Sequence, residues 1–397
     1  MPARPAAPAS SVLTRRGLLC SAGATLLVAG CDVPALAPGA GPGGRVDSDR
    51  PVPVGLLVPG GGSSDRQTLA RNIENAARLA VNDLQGVQLD LRVYQTAGDP
   101  ARAAAVATQA VNDGARILLG PLFADATRAV APVAAQAGVN VLSFSNNPTV
   151  AGGNVFLLGA MFENTATRLL AFAASRGKGR VMIVSERNEA GEVAERAIQR
   201  AAQRSGASIV ATRSYDFSQQ GIIDALPGIA SSARSSGADA LIFTAGSEGA
   251  LPLLAELLPE NNVSRSDYQF MGLTRWDIPP ATMELSGLQG GWFALPDPGM
   301  TAQFESRYAA AYERSPNPVA ALGFDGIAAI GALIRQGGSN PFSVEALTQP
   351  SGFAGANGVF RFRRDGTNER SLAVAEIRDQ RRVVLSPAPR SFAVGAS

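Results

Sequence analysis

Residues 116–147 limit what the chain can fold into more than any other stretch. They read R-I-L-L-G-P-L-F, then A-D-A-T-R-A-V-A-P-V-A-A-Q-A-G, then V-N-V-L-S-F-S-N-N. A short apolar run stops at Gly120-Pro121, a helical segment follows, and a second apolar run stops in a polar cluster. Strands covered on both faces lose the apolar–polar alternation of half-exposed ones, so this pattern predicts a βαβ unit in a parallel sheet. In open α/β sheets, ligands sit beyond the carboxyl ends of the strands. Residues 120–123 and 143–147 therefore mark a candidate cleft.

The same alternation extends along the chain. Strands are expected at 51–59, 87–96 and 154–159, with helices at 66–84, 100–112 and 163–175. Ser64 or Asp65 is the expected cap of the first helix, and Asp99-Pro100 opens the second. A second series follows, with strands at 180–185, 208–215, 238–245, 268–273 and 287–295. Its helices are expected at 191–204, 219–235 (interrupted at Pro227) and 250–258. Two successive βα series with right-handed crossovers predict an α/β fold of two doubly wound, Rossmann-like lobes with an interlobe cleft. Two helices, 301–313 and 319–336, and an alternating tail from 358 to 385 complete the reading.

Composition removes whole classes of chemistry. The chain has no histidine, which excludes Ser-His-Asp and Cys-His mechanisms and histidine metal sites. Its two cysteines, Cys20 and Cys31, both lie near the N-terminus, so the body offers no thiol ligand or nucleophile. Gly246-Ser247-Glu248-Gly249 only echoes a nucleophile elbow. A Ser-Lys mechanism would have to use Lys178, the sole lysine, with Ser175, and that group reads as a surface loop. No catalytic residue, metal or cofactor is assigned. The run Gly60-Gly61-Gly62 lacks the Gly-Lys-Ser/Thr ending of a phosphate loop. Gly61 is either a point of close ligand approach to the backbone or part of a tight strand-to-helix turn. Arg4, Arg15 and Arg16 fall in the N-terminal leader, which leaves 32 basic against 33 acidic side chains and no electrostatic footprint for nucleic acid.

That leader has Thr14-Arg15-Arg16, then an apolar core too short to span a bilayer, and ends Leu27-Val28-Ala29-Gly30-Cys31. The ending resembles a bacterial lipobox, with Cys31 the acylated residue, and Thr-Arg-Arg-Gly-Leu-Leu resembles a twin-arginine signal. Residues 32–50 are rich in Pro, Gly and Ala and read as a flexible tether. The expected location is the periplasm, lipid-anchored to a membrane.

The order of motifs resembles the type I periplasmic binding protein fold, and within it the leucine-binding protein family. The resemblance rests on V-G-L-L-V-P with its Gly-rich turn, N-A-A-R-L-A-V-N-D, G-P-L-F, V-L-S-F-S-N-N, F-D-G-I-A-A-I and G-V-F-R-F-R-R-D-G-T-N-E-R. Within that family, G-L-T-R-W-D-I-P (272–279) and G-G-W-F-A-L-P-D-P (290–298) are most similar to penicillin-binding protein activator lipoproteins. The resemblance implies one lobe from 52–160 plus 296–348 and another from 161–295 plus 349–387, after a signal peptide at 1–31.

It also implies a test of the cleft. Amino-acid binders of this family grip the ligand carboxylate with hydroxyls and helix N-termini, and the ammonium with an acid and aromatic faces. Here the carboxylate-gripping serine falls at Ala124, and the acidic positions fall at Phe162, beside Glu163, and near Thr274, with Asp277 close by. Ser143, Ser145, Asn146 and Asn147 remain to hold a polar group, or else serve the turn itself. Leu122, Phe123, Met161, Phe162 and Trp276 would make the rest of the cleft apolar, with Phe123 and Met161 alternatively packing in the core. Two non-catalytic functions follow. One is a penicillin-binding protein activator, whose partner is a class A penicillin-binding protein. The other is the solute-binding protein of an ABC importer, whose partners are a permease and a branched-chain amino acid or related small molecule.

Overall fold

The computed structural model describes residues 50–392, so the expected signal, Cys31 and the tether up to residue 49 lie outside the described part. The first sheet contains β1 (Val52–Val58), β2 (Leu89–Gln95), β3 (Ile117–Leu119), β4 (Asn140–Ser143) and β5 (Val155–Leu157). Helices α1 (Ser64–Asp83), α2 (Pro100–Asn112) and α3 (Ala124–Gln136) connect its first four strands. All its pairings are parallel, in the order β2-β1-β3-β4-β5.

From β5 the chain passes through α4 (Phe162–Ser175) into the second sheet. There β6 (Arg180–Glu186), β7 (Ser208–Tyr215), β8 (Ala240–Phe243), β9 (Gln269–Gly272) and β10 (Trp292–Leu295) alternate with α5 (Glu189–Ser205), α6 (Gln219–Ser236) and α7 (Leu251–Glu260). It then runs through α8 (Pro298–Tyr312), α9 (Ala321–Gln336) and α10 (Val344–Leu347) to a three-stranded sheet, β11 (Phe353–Gly355), β12 (Gly358–Phe362) and β13 (Asn368–Arg370). Two last strands, β14 (Ala373–Arg378) and β15 (Arg381–Ser386), return to the second sheet and pair antiparallel beyond β10. The parallel part of that sheet, β7-β6-β8-β9-β10, repeats the strand order of the first. The fold is two doubly wound α/β lobes, as the βα alternation predicts.

Local chemistry sets the element ends. Ser63, one residue before the expected caps, accepts the Arg66 N–H at the start of α1. Asp99 accepts the Arg102 N–H at 2.7 Å, with Pro100 behind it, as expected. Helix α6 continues through Pro227 instead of breaking. Pro227 is exposed, so the Ile223 carbonyl that loses its partner faces water. The segment Pro318–Gln336 is long and apolar enough to cross a membrane, but 61% of its apolar window is buried in the fold. Helix α9 packs there on α1 and on the first sheet, sharing its core through Ile327, Ile330 and Leu333.

The three-stranded sheet joins the core of the first lobe. Phe353, Phe360 and Phe362 are buried in the cluster that holds Ile117, Leu119 and Phe156, and the Phe156 and Phe362 rings meet edge to face at 5.7 Å. The family resemblance implies that 349–387 belongs to the second lobe. Only β14 and β15 of that span enter the second sheet.

The chain crosses between lobes around a buried ion pair. Arg370 Nη1 lies 2.8 Å from Asp325 Oδ2, with side-chain exposures of 5% and 0%. Arg370 Nε also donates to the Leu158 carbonyl at 3.0 Å, and the Ala356 N–H donates to Asp325 Oδ1 at 2.7 Å. Asn368 Nδ2 donates to the carbonyls of Leu157 and Gly159, each at 2.8 Å, and its Oδ1 accepts from Asn164 of α4 at 2.7 Å. Burial pushes the Asp325 carboxyl above its ordinary range, while Arg370 and the backbone N–H groups pull it back. A second cluster, Asp277 with Arg275 and Arg382, ties β15 to the loop after β9 at 2.6 and 2.7 Å. Burial works to raise the Asp277 pKa, but the two arginines outweigh it and hold the carboxyl below its ordinary range.

Removing one member of a buried pair strands the other. Arg370→Met should therefore cost about 3–5 kcal/mol in urea unfolding, and adding Asp325→Asn should recover part of the loss. The unfolded Asp277 carboxylate takes up its proton near pH ~4 and the folded one only below that. Its stabilisation is thus present above that pH and is lost as pH falls through the folded value. Asp277→Asn should melt below the parent at neutral pH, and the gap should close as pH falls from about 5 through the folded value. Gly120 has φ 90°, and a Cβ there would stand 2.2 Å from the Leu57 carbonyl oxygen. Gly120→Ala should cost about 2–4 kcal/mol from left-handed strain and overlap. Gly228, helical and with open space around it, should instead give about 0.5–1 kcal/mol of added stability as alanine.

Candidate functional site

The carboxyl ends of the strands supply one cavity from both lobes. Its volume is about 520 Å³. From the first lobe come Asn146 and Asn147 after β4, and Met161 after β5. From the second come Phe162 and Glu163 at the start of α4, and Asn188, Val193 and Arg200 before and along α5. Thr367, in the turn before β13, closes one side. The lining mixes amides with an apolar patch of Met161, Phe162 and Val193, the composition of a small-molecule site.

Four of the residues expected from the sequence, Asn146, Asn147, Met161 and Phe162, meet here. The serines of the same turn do not line the cavity. Ser143 is buried, donates to the Pro121 carbonyl at 3.0 Å, lies 2.8 Å from the Thr127 hydroxyl and accepts the Ser145 N–H at 3.1 Å. Ser145 Oγ accepts the Asn147 N–H at 3.1 Å. Asn147 Oδ1 in turn takes the N–H and hydroxyl of Thr149, at 3.0 and 2.9 Å, to cap the 3-10 turn Pro148–Val150. The turn consumes its own hydroxyls, so the Asn146 side chain and the Asn147 NH₂ are the polar groups it leaves for a ligand.

Gly61, Leu122 and Phe123 lie at the ends of β1 and β3, along the same edge but outside this cavity. The Gly61 N–H is taken by Gln67 Oε1 at 3.0 Å. Phe123 is 39% exposed and its ring covers Gly98 beside the Arg66 guanidinium. Trp276 is a correction. It is fully buried in the second-lobe core, and a Cβ on Gly272 or Gly291 would stand 2.2 or 2.4 Å from its ring. It lines no part of the cleft, because two glycines leave it a slot in the interior. Thr274 bonds the Ala245 carbonyl, and Asp277 is held by its two arginines, so neither serves as an acid for a ligand ammonium.

Sequence reasoning missed Asn188, Val193, Arg200 and Thr367. Asn188 lies just past the carboxyl end of β6, where the strand-end rule applied to 143–147 would also have pointed. Its Oδ1 caps α5 through the Gly191 N–H at 2.7 Å, and its Nδ2 donates to Glu186 at 3.1 Å. Glu186 also accepts from Tyr215, whose hydroxyl pKa is pushed up by burial and then by that carboxylate. Arg200 is three turns into α5, and its Nε lies 2.9 Å from Glu163 Oε2. Among the described residues no group of acids, histidines or cysteines is placed to hold a metal.

Comparison with known proteins agrees with this geometry. Residues 51–382 match the family described as Periplasmic binding protein. No curated protein matches the chain. Solved structures share the fold at low identity. A branched-chain amino acid ABC transporter protein from Rhodospirillum rubrum has a TM-score of 0.71 at 18% identity, covering 85% of this chain and 100% of its own. A substrate-binding protein of an ABC transporter from Desulfitobacterium hafniense, in complex with Leu, has a TM-score of 0.62 at 19% identity, with 85% and 100% covered. A solute-binding protein from Rhodopseudomonas palustris, in complex with 3,4-dihydroxybenzoic acid, has a TM-score of 0.57 at 16% identity, with 86% and 97% covered. With the matched span taking in both repeated sheets and the cavity between their strand ends, the chain belongs to the periplasmic binding protein family and has its type I fold.

Proposed function

We propose that the chain is the solute-binding component of an ABC importer, capturing a small molecule between its lobes without catalysis. The observation that carries this reading is the 520 Å³ cavity assembled from the strand ends of both lobes. The lining suits a branched-chain amino acid or a related small solute. Asn146, Asn147 and Asn188 offer amides to its polar end, and Met161, Phe162 and Val193 cover its apolar body. The partner is then a permease. The lipobox at Cys31 supports a lipid-tethered periplasmic form, and residues 52–160 with 296–372 serve as one lobe and 161–295 with 373–387 as the other.

The activator reading has less support. The two stretches that resemble penicillin-binding protein activators, 272–279 and 290–298, form one packing unit. Trp276 lies against Gly272 and Gly291, and Asp277 is clasped by arginines. Trp276 and Asp277 thus belong to the interior of the second lobe, while Ile278 and Pro279 at the end of the first stretch are exposed.

A thermal-shift screen of amino acids and small organic acids on the protein lacking residues 1–31 tests the proposal. A ligand at one hundred times its Kd adds about 2.7 kcal/mol of stability. A saturable rise in melting temperature is expected with at least one solute, and Val193→Trp, which fills the cavity, should weaken that binding at least about tenfold, the equivalent of 1.4 kcal/mol. No response to any solute, combined with capture of a class A penicillin-binding protein in a pull-down, would reverse the order of the two readings.

A further inference from the structure

Glu163 forms a wall of two cavities. Beside the cleft lies a second space of about 350 Å³, bounded by α4, the β12–β13 hairpin and the tail at Pro389 and Phe392. Charge is unbalanced around it. Arg361 and Arg363 share Glu369 at 2.8 and 3.4 Å. Arg200, Arg204 and Arg363 reach Glu163 at 2.9, 3.4 and 3.9 Å. Arg370 is held by Asp325. Arg168 has no carboxylate partner among the described residues. Its Nε donates to the Leu372 carbonyl at 2.7 Å, and its Nη2 to Ser386 Oγ at 2.5 Å and the Pro387 carbonyl at 3.3 Å. Four guanidinium groups, of Arg168, Arg361, Arg363 and Arg370, thus line the cavity, against the carboxylates of Glu163 and Glu369 on its wall and that of Asp325 behind Arg370.

The setting keeps that excess from being ordinary surface charge. Arg168 is partly buried over the Phe172 ring, and Phe392 stacks on Arg361 with 4.6 Å from guanidinium to ring centroid. Burial lowers the Arg168 pKa, the mark of a cation short of compensation. An arginine nevertheless stays charged at neutral pH, and its planar fork matches carboxylate and phosphate oxygens.

We propose that this cavity binds a small polyanion, a di- or tricarboxylate or inorganic phosphate, with Arg168 and Arg361 as its principal donors. The anion would balance part of the excess charge and join α4 of the second lobe to the hairpin packed on the first. The site is separate from the solute cleft and does not rest on the importer reading.

The test uses the protein lacking residues 1–31, with its C-terminal tail intact, titrated with citrate, succinate and inorganic phosphate, each against sodium chloride of equal ionic strength. Melting temperature and calorimetric binding are the readouts. At least one polyanion should give a saturable rise that chloride does not reproduce, and a response to phosphate alone or to carboxylates alone selects the ligand class. Arg168→Met should weaken binding tenfold or more. Since Arg168 also anchors the tail, Thr167→Glu and Arg361→Gln serve as second variants. Thr167→Glu adds a carboxylate to the cavity wall, so it should raise the melting temperature without added anion and abolish the response. Val193→Trp, in the cleft, should leave the response intact. The proposal fails if none of the three anions binds, if chloride gives the same shift, if Thr167→Glu still responds, or if Val193→Trp removes the effect.

Discussion

The Asp325–Arg370 pair is the interaction on which the arrangement of the lobes depends. It lies where the chain leaves the first sheet, and it joins α9, β13 and the carbonyl of Leu158 in one buried set. Two charges out of water are expensive, and their mutual attraction offsets that cost only when every remaining lone pair and N–H is used. Here they are. Ala356 satisfies the second carboxylate oxygen, and Asn368 spans the carbonyls on either side of Leu158. An apolar replacement could fill the volume but would not specify which strand passes over which. The polar set defines the crossing, and Asn164 carries it into the first turn of α4.

From that crossing the cleft follows. Both parallel sheets use the order in which the winding of the chain reverses beside their first strand, and both present their carboxyl ends to the same space. The chemistry of the opening is set by what the turns leave over. Ser143, Ser145 and Asn147 satisfy one another and the backbone, which makes the turn rigid and removes the hydroxyls from the solvent side. The space between the lobes is bounded by amides and apolar side chains together with the Thr367 hydroxyl and the carboxylates of Glu163 and Glu189.

Much of this was legible in the chain. The apolar runs ending in Gly120-Pro121 and in 143–147 located two strand ends because burial on both faces and a polar stop are local properties. Asp99-Pro100 marked a helix start for the same reason. Asn146, Asn147, Met161 and Phe162 were found as residues just past strand ends. Trp276 was misplaced because it also follows a strand end. Only three-dimensional packing shows that Gly272 and Gly291 open a slot that draws it inward. Arg200 and Thr367 reach the cavity from the middle of a helix and from a distant turn, and no local pattern announces either. The tail was read as strands, but its phenylalanines join the first lobe through contacts more than two hundred residues apart in sequence, which alternation alone cannot assign.

The placement of Trp276 has a spectroscopic consequence. The chain has two tryptophans, Trp276 and Trp292, and both belong to the second lobe. The indole of Trp276 is fully buried, and its N–H has no hydrogen-bond partner, whereas that of Trp292 reaches Glu376 at 3.3 Å. The first-lobe strands and the helices packed on them carry tyrosines, Tyr94, Tyr308 and Tyr312, and no indole. Excitation at the red edge of the indole band therefore observes one half of the molecule alone, with Trp276 emitting from a dry, non-relaxing environment. The fluorescence of this protein is a built-in label for its second lobe.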